Sequence, residues 1–110
     1  LWMIPNGDTP SSIEDHPALQ GLTIGRTGKP TRAGILVTKT LVFAGEGAGG
    51  DPVLRAHEKA TGKILAEIDL PGSQTGLPMT YALEGKQYIV LAVGGTPDRS
   101  AELVALTLPD

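Results

Sequence analysis

The chain contains an internal repeat, and the repeat limits what it can fold into. Leu41-Val42-Phe43-Ala44 returns as Ile89-Val90-Leu91-Ala92, an offset of 48 residues, and Leu54-Arg55-Ala56 returns as Leu103-Val104-Ala105, an offset of 49. Within each copy, short aliphatic runs alternate with turn residues. Ile35 to Thr38 and Leu41 to Ala44 flank Lys39-Thr40. Val53 to Glu58 and Lys63 to Leu70 flank Lys59-Ala60-Thr61-Gly62, where Gly62 can take positive φ. Pro78 to Leu83 and Gln87 to Val93 flank Glu84-Gly85-Lys86, and Leu103 to Leu108 follows. A period of roughly 40 to 50 residues built from four short strands is the pattern of propeller blades, which stack apolar faces on their neighbours.

The segment ahead of the repeat reads differently. Leu1 to Ile4 has the composition of a strand and resembles Leu65 to Ile68, which suggests the last strand of a preceding blade. Pro5 to Pro30 is polar and rich in Pro and Gly. Within it, Ser11 and Glu14 have the spacing of a capping box, and Pro17 limits any helix there to one or two turns. The expected architecture is therefore all-β: a partial β-propeller of about two four-stranded antiparallel blades, with a Pro/Gly-rich N-terminal loop and at most one short helix. Residues 1–32 form the strand and irregular loop, 33–71 one blade, and 72–110 a terminal blade lacking its outer strand.

Composition narrows the function classes. With 4% aromatic residues, any core rests on Val, Ile, Leu and Ala. The net charge of −3 and the scattered Lys and Arg argue against nucleic acid as a partner. With no cysteine, a disulfide framework and Cys-based metal sites are excluded. The longest apolar run, Tyr88 to Val93, falls far short of the roughly 20 residues of a membrane helix. Leu1-Trp2-Met3-Ile4 opens without a charged leader and reads as mid-strand, so the chain is expected to be a fragment.

Several segments resemble the PQQ-dependent quinoprotein dehydrogenases, in particular the glucose dehydrogenase-like branch. That family's blade motif is Ala-x-Asp-x-x-x-Gly-x-x-x-Trp. Ala56 and Gly62 match it, while Glu58 replaces Asp and Ala66 replaces Trp. Trp2 looks like the docking Trp of the preceding blade. Gly76-Leu77-Pro78-Met79-Thr80-Tyr81, Glu84-Gly85-Lys86-Gln87-Tyr88-Ile89-Val90 and Ala92-Val93-Gly94-Gly95 are similar to the family's final blade. So are Gly7-Asp8-Thr9-Pro10, His16-Pro17-Ala18-Leu19-Gln20-Gly21-Leu22 and Leu36 to Gly45 to segments of the glucose dehydrogenase-like branch.

The resemblance implies an eight-bladed periplasmic propeller that holds PQQ and a calcium-type ion near its axis. Such enzymes oxidise an alcohol or aldose hydroxyl and pass electrons to a quinone or cytochrome. A catalytic Asp serves as base while the ion polarises a PQQ carbonyl. Neither that Asp nor an ion ligand maps onto a position of this chain, so neither cofactor is expected to be bound by the fragment alone. What does carry over is the loop after the last blade's Val-Gly-Gly, which borders the PQQ funnel in relatives. Here it is Gly94, Gly95 and Thr96, with Thr96 where relatives often have His or an aromatic residue. The plainer reading of the same residues is a tight turn ending a strand.

Other motifs weigh less. Gly45-Glu46-Gly47-Ala48-Gly49-Gly50 formally contains GxGxxG, but Asp51-Pro52 and a strand follow instead of the helix a dinucleotide site needs. The plainer reading is a connection between blade strands. Glu46 and Asp51 could hold a cation, although no EF-hand spacing is present. His16 is expected to fix its loop by a hydrogen bond and His57 to face solvent or lie at an edge. Tyr81 and Tyr88 are expected to pack together across a hairpin. Two functional classes result: the C-terminal blades of a sugar or alcohol dehydrogenase, inert alone and completed by the remaining blades, or a stand-alone β module that associates with further copies of itself.

Overall fold

The computed structural model describes residues 1–110 as two antiparallel sheets preceded by an irregular segment. The segment holds one helical turn, α1 (Ser11–Glu14), and a 3-10 turn at Pro17–Leu19. The first sheet contains β1 (Ile35–Val37), β2 (Leu41–Gly45), β3 (Val53–Glu58) and β4 (Ile64–Asp69), paired in sequence order. The second contains β5 (Met79–Leu83), β6 (Lys86–Val93) and β7 (Glu102–Thr107), again in order. Up-and-down sheets of four and three strands are consistent with a partial β-propeller.

Turn chemistry sets the hairpins. Gly62 sits at φ +80 between β3 and β4, in the left-handed region that side chains resist. Glu84 (φ 51) and Gly85 (φ 77) both take positive φ between β5 and β6, the backbone of a two-residue type I′ turn. Lys86 therefore belongs to the strand and pairs with Leu83.

The core lies between the sheets. Phe43, Leu54, Ala56, Leu70, Leu91 and Val93 form its buried cluster, flanked by Leu36, Leu41, Ile68, Ile89, Val104 and Leu106. Leu54 and Leu91 are 0% and 1% exposed, and full burial of each stabilises by about 1.5–3 kcal/mol. Phe43 and Leu91 occupy matching places in β2 and β6, as the repeat requires. The second repeat offset needs correction, however. Phe43 pairs with Ala56 and Leu91 pairs with Val104, so β3 and β7 correspond at the same spacing as β2 and β6. Aligning Leu54 with Leu103 slips the register by one residue, which transfers a side chain to the opposite face. Accordingly, Leu54 is buried and Leu103 is 78% exposed.

The N-terminal segment covers the other face of the first sheet. This is why Val53 to His57 of β3 are buried without interruption, although strand side chains point alternately to opposite faces. Leu1 to Ile4 forms no strand, against the sequence expectation, because no strand lies alongside to take its backbone hydrogen bonds. Its anchor is Trp2. The indole Nε1 donates to the Lys59 carbonyl at 2.8 Å, and the ring stacks on His57 with centroids 6.5 Å apart. The His57 expectation is corrected too: the side chain is 5% exposed, beneath Trp2, with Nδ1 3.1 Å from the Gly62 carbonyl oxygen.

The capping box does not form. Ser11 is the first helical residue, and Pro10 occupies the cap position with no side-chain cap. Proline's fixed φ (here −61) prepares the chain for the turn, and the Pro10 carbonyl accepts from Ile13 and Glu14. His16 acts as expected, accepting from the Ala18 amide at 3.2 Å. Tyr81 and Tyr88 pair across β5 and β6 with rings stacked 5.2 Å apart.

Candidate functional site

Three loops meet at one end of the two sheets: the β2–β3 loop, the β4–β5 linker and the β6–β7 loop. Between them lies an open cleft of about 500 Å³, lined by Ala48 and Gly49 on one side and by Gly94, Gly95, Thr96 and Arg99 on the other. Gly72, Ser73 and Thr75 form its floor. Gly94, Gly95 and Thr96, consecutive in the chain, are among its lining residues.

Their wall of the cleft is stiff. Thr96 and Arg99 exchange backbone hydrogen bonds around Pro97-Asp98, at 2.7 and 3.2 Å. The Arg99 guanidinium donates to the Gly94 carbonyl at 2.8 Å and to Glu102 at 3.1 Å. A Cβ on Gly95 would come within 2.7 Å of the Arg99 carbonyl oxygen and 2.8 Å of the Ala101 nitrogen. One on Gly94 would press on the Thr75 methyl at 3.1 Å. Packing of the turn therefore already demands the glycine at 95.

The opposite wall depends on a buried charge network. Glu46, 0% exposed, accepts from Arg55 Nη1 at 2.8 Å and from the Asp51 amide at 2.7 Å. Lys29 Nζ lies 3.6 Å from Glu46 and 3.1 Å from Asp51. Arg55 also donates to Glu67 at 3.0 Å. A buried carboxylate is tolerated only when neutralised and hydrogen-bonded, and Glu46 is both. The hydrogen bond to Asp51 holds the Lys29 ammonium above its ordinary pKa, reinforced by Glu46 and opposed by burial. Burial works against the Arg55 charge, but hydrogen bonds to Glu46 and Glu67 outweigh it and raise its pKa. Lys29 and Arg55 supply the positive charge that faces Glu46, and Lys29 that which faces Asp51. No group of three His, Cys, Asp or Glu side chains gathers to hold a metal.

Lys29 and Arg55 were not anticipated as partners of Glu46. Nothing in their spacing signals it, because the fold alone brings them together. The loop does carry a strand after it, so the dinucleotide reading of its glycines has no helix to stand on.

Glycine and threonine walls allow close approach, and Arg99 and the Thr96 hydroxyl offer hydrogen-bond donors. The unpartnered buried atom of the molecule, Gln74 Oε1, is not among the cleft-lining groups. It faces Gly45, while Gln74 Nε2 joins the sheets by donating to the Gly34 and Gly76 carbonyls at 2.8 and 2.6 Å.

Comparison with known proteins agrees with this architecture. A family model described as PQQ, glucose/ethanol/alcohol dehydrogenase, beta-propeller domain matches residues 1–89, ending just short of Gly94. A probable quinate dehydrogenase (quinone) of Xanthomonas campestris pv. juglandis is 40% identical over 99% of this chain. A quinoprotein glucose dehydrogenase of Gluconobacter oxydans is 35% identical over 100% of it. A glycerol dehydrogenase large subunit of Gluconobacter thailandicus is 39% identical over 76% of it. The chain spans about 14% of the length of the first two and 12% of the third. No helix is long and apolar enough to cross a membrane. On the family match and the paired antiparallel sheets, the chain belongs to the β-propeller family of PQQ-dependent glucose, ethanol and alcohol dehydrogenases.

Proposed function

We propose that the chain supplies the C-terminal blades of a periplasmic PQQ-dependent dehydrogenase, which oxidises a sugar or alcohol hydroxyl and passes electrons to a quinone or cytochrome. The observation that carries this is the family match over residues 1–89. In this reading, bound PQQ supplies the two-electron acceptor. This chain contributes the rim: Gly94, Gly95 and Thr96 let backbone approach the cofactor's edge, and the Arg99 turn keeps that wall in place. The catalytic base and the calcium-type ion belong to the remaining blades, so the 110-residue chain by itself does not turn over substrate.

A two-part experiment tests this. The isolated chain is not expected to retain PQQ, but in millimolar excess the cofactor's transient contact is expected to shift the amides of Gly94, Gly95 and Thr96 in isotope-labelled chain more than any others. Shifts scattered over the surface, or none, would refute the rim assignment. The same chain with PQQ, calcium and glucose is expected to leave a redox dye unreduced, and dye reduction would refute its inactivity.

A second reading is favoured by one face. Met79, Tyr81, Leu83 and Leu103 of the second sheet are 54%, 41%, 57% and 78% exposed. Together they form an uncovered apolar face running from β5 to β7, the two unpaired edges of the sheet. Such surfaces mark interfaces, and here the next blade or a second copy would cover it. Light scattering on a sizing column separates the two. A concentration-dependent dimer supports the self-associating module, and a monomer at all concentrations excludes it.

A further inference from the structure

We propose that Glu46 is a positioning residue: its buried carboxylate fixes the Gly45–Asp51 loop so that Ala48 and Gly49 form the cleft wall facing Gly94, Gly95 and Thr96. The ligand-binding consequence rests on reading the cleft as a cofactor rim; the structural consequence does not.

The geometry is specific. Glu46 is the first residue beyond β2, and its side chain turns inward, not toward solvent. One carboxylate oxygen takes Arg55 from the sheet, and the other takes the Asp51 amide at the far end of the same loop. The loop is thereby cinched across its own base. Its remaining ties act at other points. Ser73 Oγ donates to the Gly50 carbonyl at 2.7 Å, joining the loop to the β4–β5 linker on the cleft floor. Gly50 bonds back to the Gly47 carbonyl at 3.0 Å. The N-terminal segment closes over the carboxylate. A Cβ on Gly7 would sit 3.2 Å from Glu46, and Lys29 reaches the same group from the side.

A glycine-rich loop has a high conformational entropy to lose on ordering. Four of the seven residues in Gly45–Asp51 are glycine, so backbone stiffness cannot hold the wall. A Cβ on Gly49 would meet nothing within 4 Å, so the tip is open on that side, although Gly47 packs closely on the Arg32 backbone. The tip stays in place because its base is cinched. Glu46 therefore acts on the cleft through Asp51 and the loop, without touching a ligand.

The test compares the 110-residue chain with Glu46→Gln, Lys29→Met and Leu91→Val. Amide hydrogen exchange is read by NMR, and PQQ in millimolar excess is the probe, because the chain alone is not expected to retain it. In Glu46→Gln, exchange at Asp51 and Gly50 is expected to rise at least tenfold while Leu91 and Val93 hold their rates. Lys29→Met, which leaves Arg55 and the Asp51 amide in place, is expected to raise the same loop amides by a smaller factor. Leu91→Val weakens the core without touching the loop, so it gives the pattern of a general loss of stability. Exchange rising equally at loop and core in Glu46→Gln would overturn the proposal, as would unchanged loop exchange. If Glu46→Gln does not fold, Lys29→Met against Leu91→Val decides by the same criterion. In the ligand arm, Glu46→Gln is expected to weaken PQQ-induced shifts at Gly94 to Thr96 at least fivefold, with Leu91→Val unchanged. A loosened loop with full PQQ binding would overturn the role in the cleft. Absence of PQQ-induced shifts in the unaltered chain at millimolar excess would refute the rim reading, leaving the exchange data to decide the loop.

Discussion

Replacing Gly62 by Ala tests two separate physical demands at one position. The first is backbone conformation. At φ +80 an L-residue bears roughly 1–2 kcal/mol of strain, partly offset by about 0.4–1 kcal/mol from a less flexible unfolded chain. The second is space, because the new Cβ would lie 2.6 Å from the six-membered ring of Trp2. The ring must move, losing its hydrogen bond to Lys59 and part of its packing on His57. That loss adds about 1–2 kcal/mol. The total expected destabilisation is about 2–3 kcal/mol, measured by urea denaturation followed by circular dichroism. Trp2→Ala removes the ring beforehand, so Gly62→Ala in that background should cost only about 1 kcal/mol. The cycle should therefore show a coupling of roughly 1–2 kcal/mol. Equal costs in the two backgrounds would refute the contact, and no cost in either would refute the turn conformation. Gly62→Val should be worse than Gly62→Ala in both, since β-branching adds strain at the same φ.

Three further outcomes are expected. Leu91→Ala should lose about 2.7–5 kcal/mol in the same denaturation assay, because a side chain 1% exposed leaves a cavity between the sheets. Glu84→Asn should raise stability by about 0.5 kcal/mol or more, since Asn tolerates the positive φ of a type I′ turn better than Glu, and an unchanged midpoint would count against that turn. The Lys29 pKa is raised from 10.5 by folding, so its contribution is complete below 10.5 and disappears as pH climbs through the higher folded value. Melting curves across that alkaline window should show a loss of stability that Lys29→Met reduces.

Strand positions were legible because they depend on local pattern. Alternating aliphatic runs and the Gly62 and Gly85 turns mark β1 to β7 to within a residue or two. Burial was legible only where one face alone is covered. His57 looked like a surface residue because its neighbours alternate. Nothing local reveals that a tryptophan 55 residues earlier lies over it. Leu1 to Ile4 failed for the converse reason: its composition suits a strand, but a strand exists only with a partner. That β6 ends in a turn at Gly94, Gly95 and Thr96 was readable from turn chemistry. The network that holds the facing wall was not, since Lys29, Glu46 and Arg55 belong to three different stretches of chain, and only folding makes them neighbours.

The irregular N-terminal segment gives the molecule a direction. One sheet carries a cover made of loop, tied down by Trp2, Asn6 and Lys29, while the other presents its apolar face bare. A stack of like sheets could in principle add units at both ends. In this 110-residue chain the two ends differ, loop lying over one sheet and the other sheet being bare. Two copies meeting bare face to bare face would form an isologous pair with loops outermost, and the series would stop there. Under the self-associating reading, the Pro- and Gly-rich stretch would limit growth to a pair, and its removal should convert that pair into an open-ended aggregate.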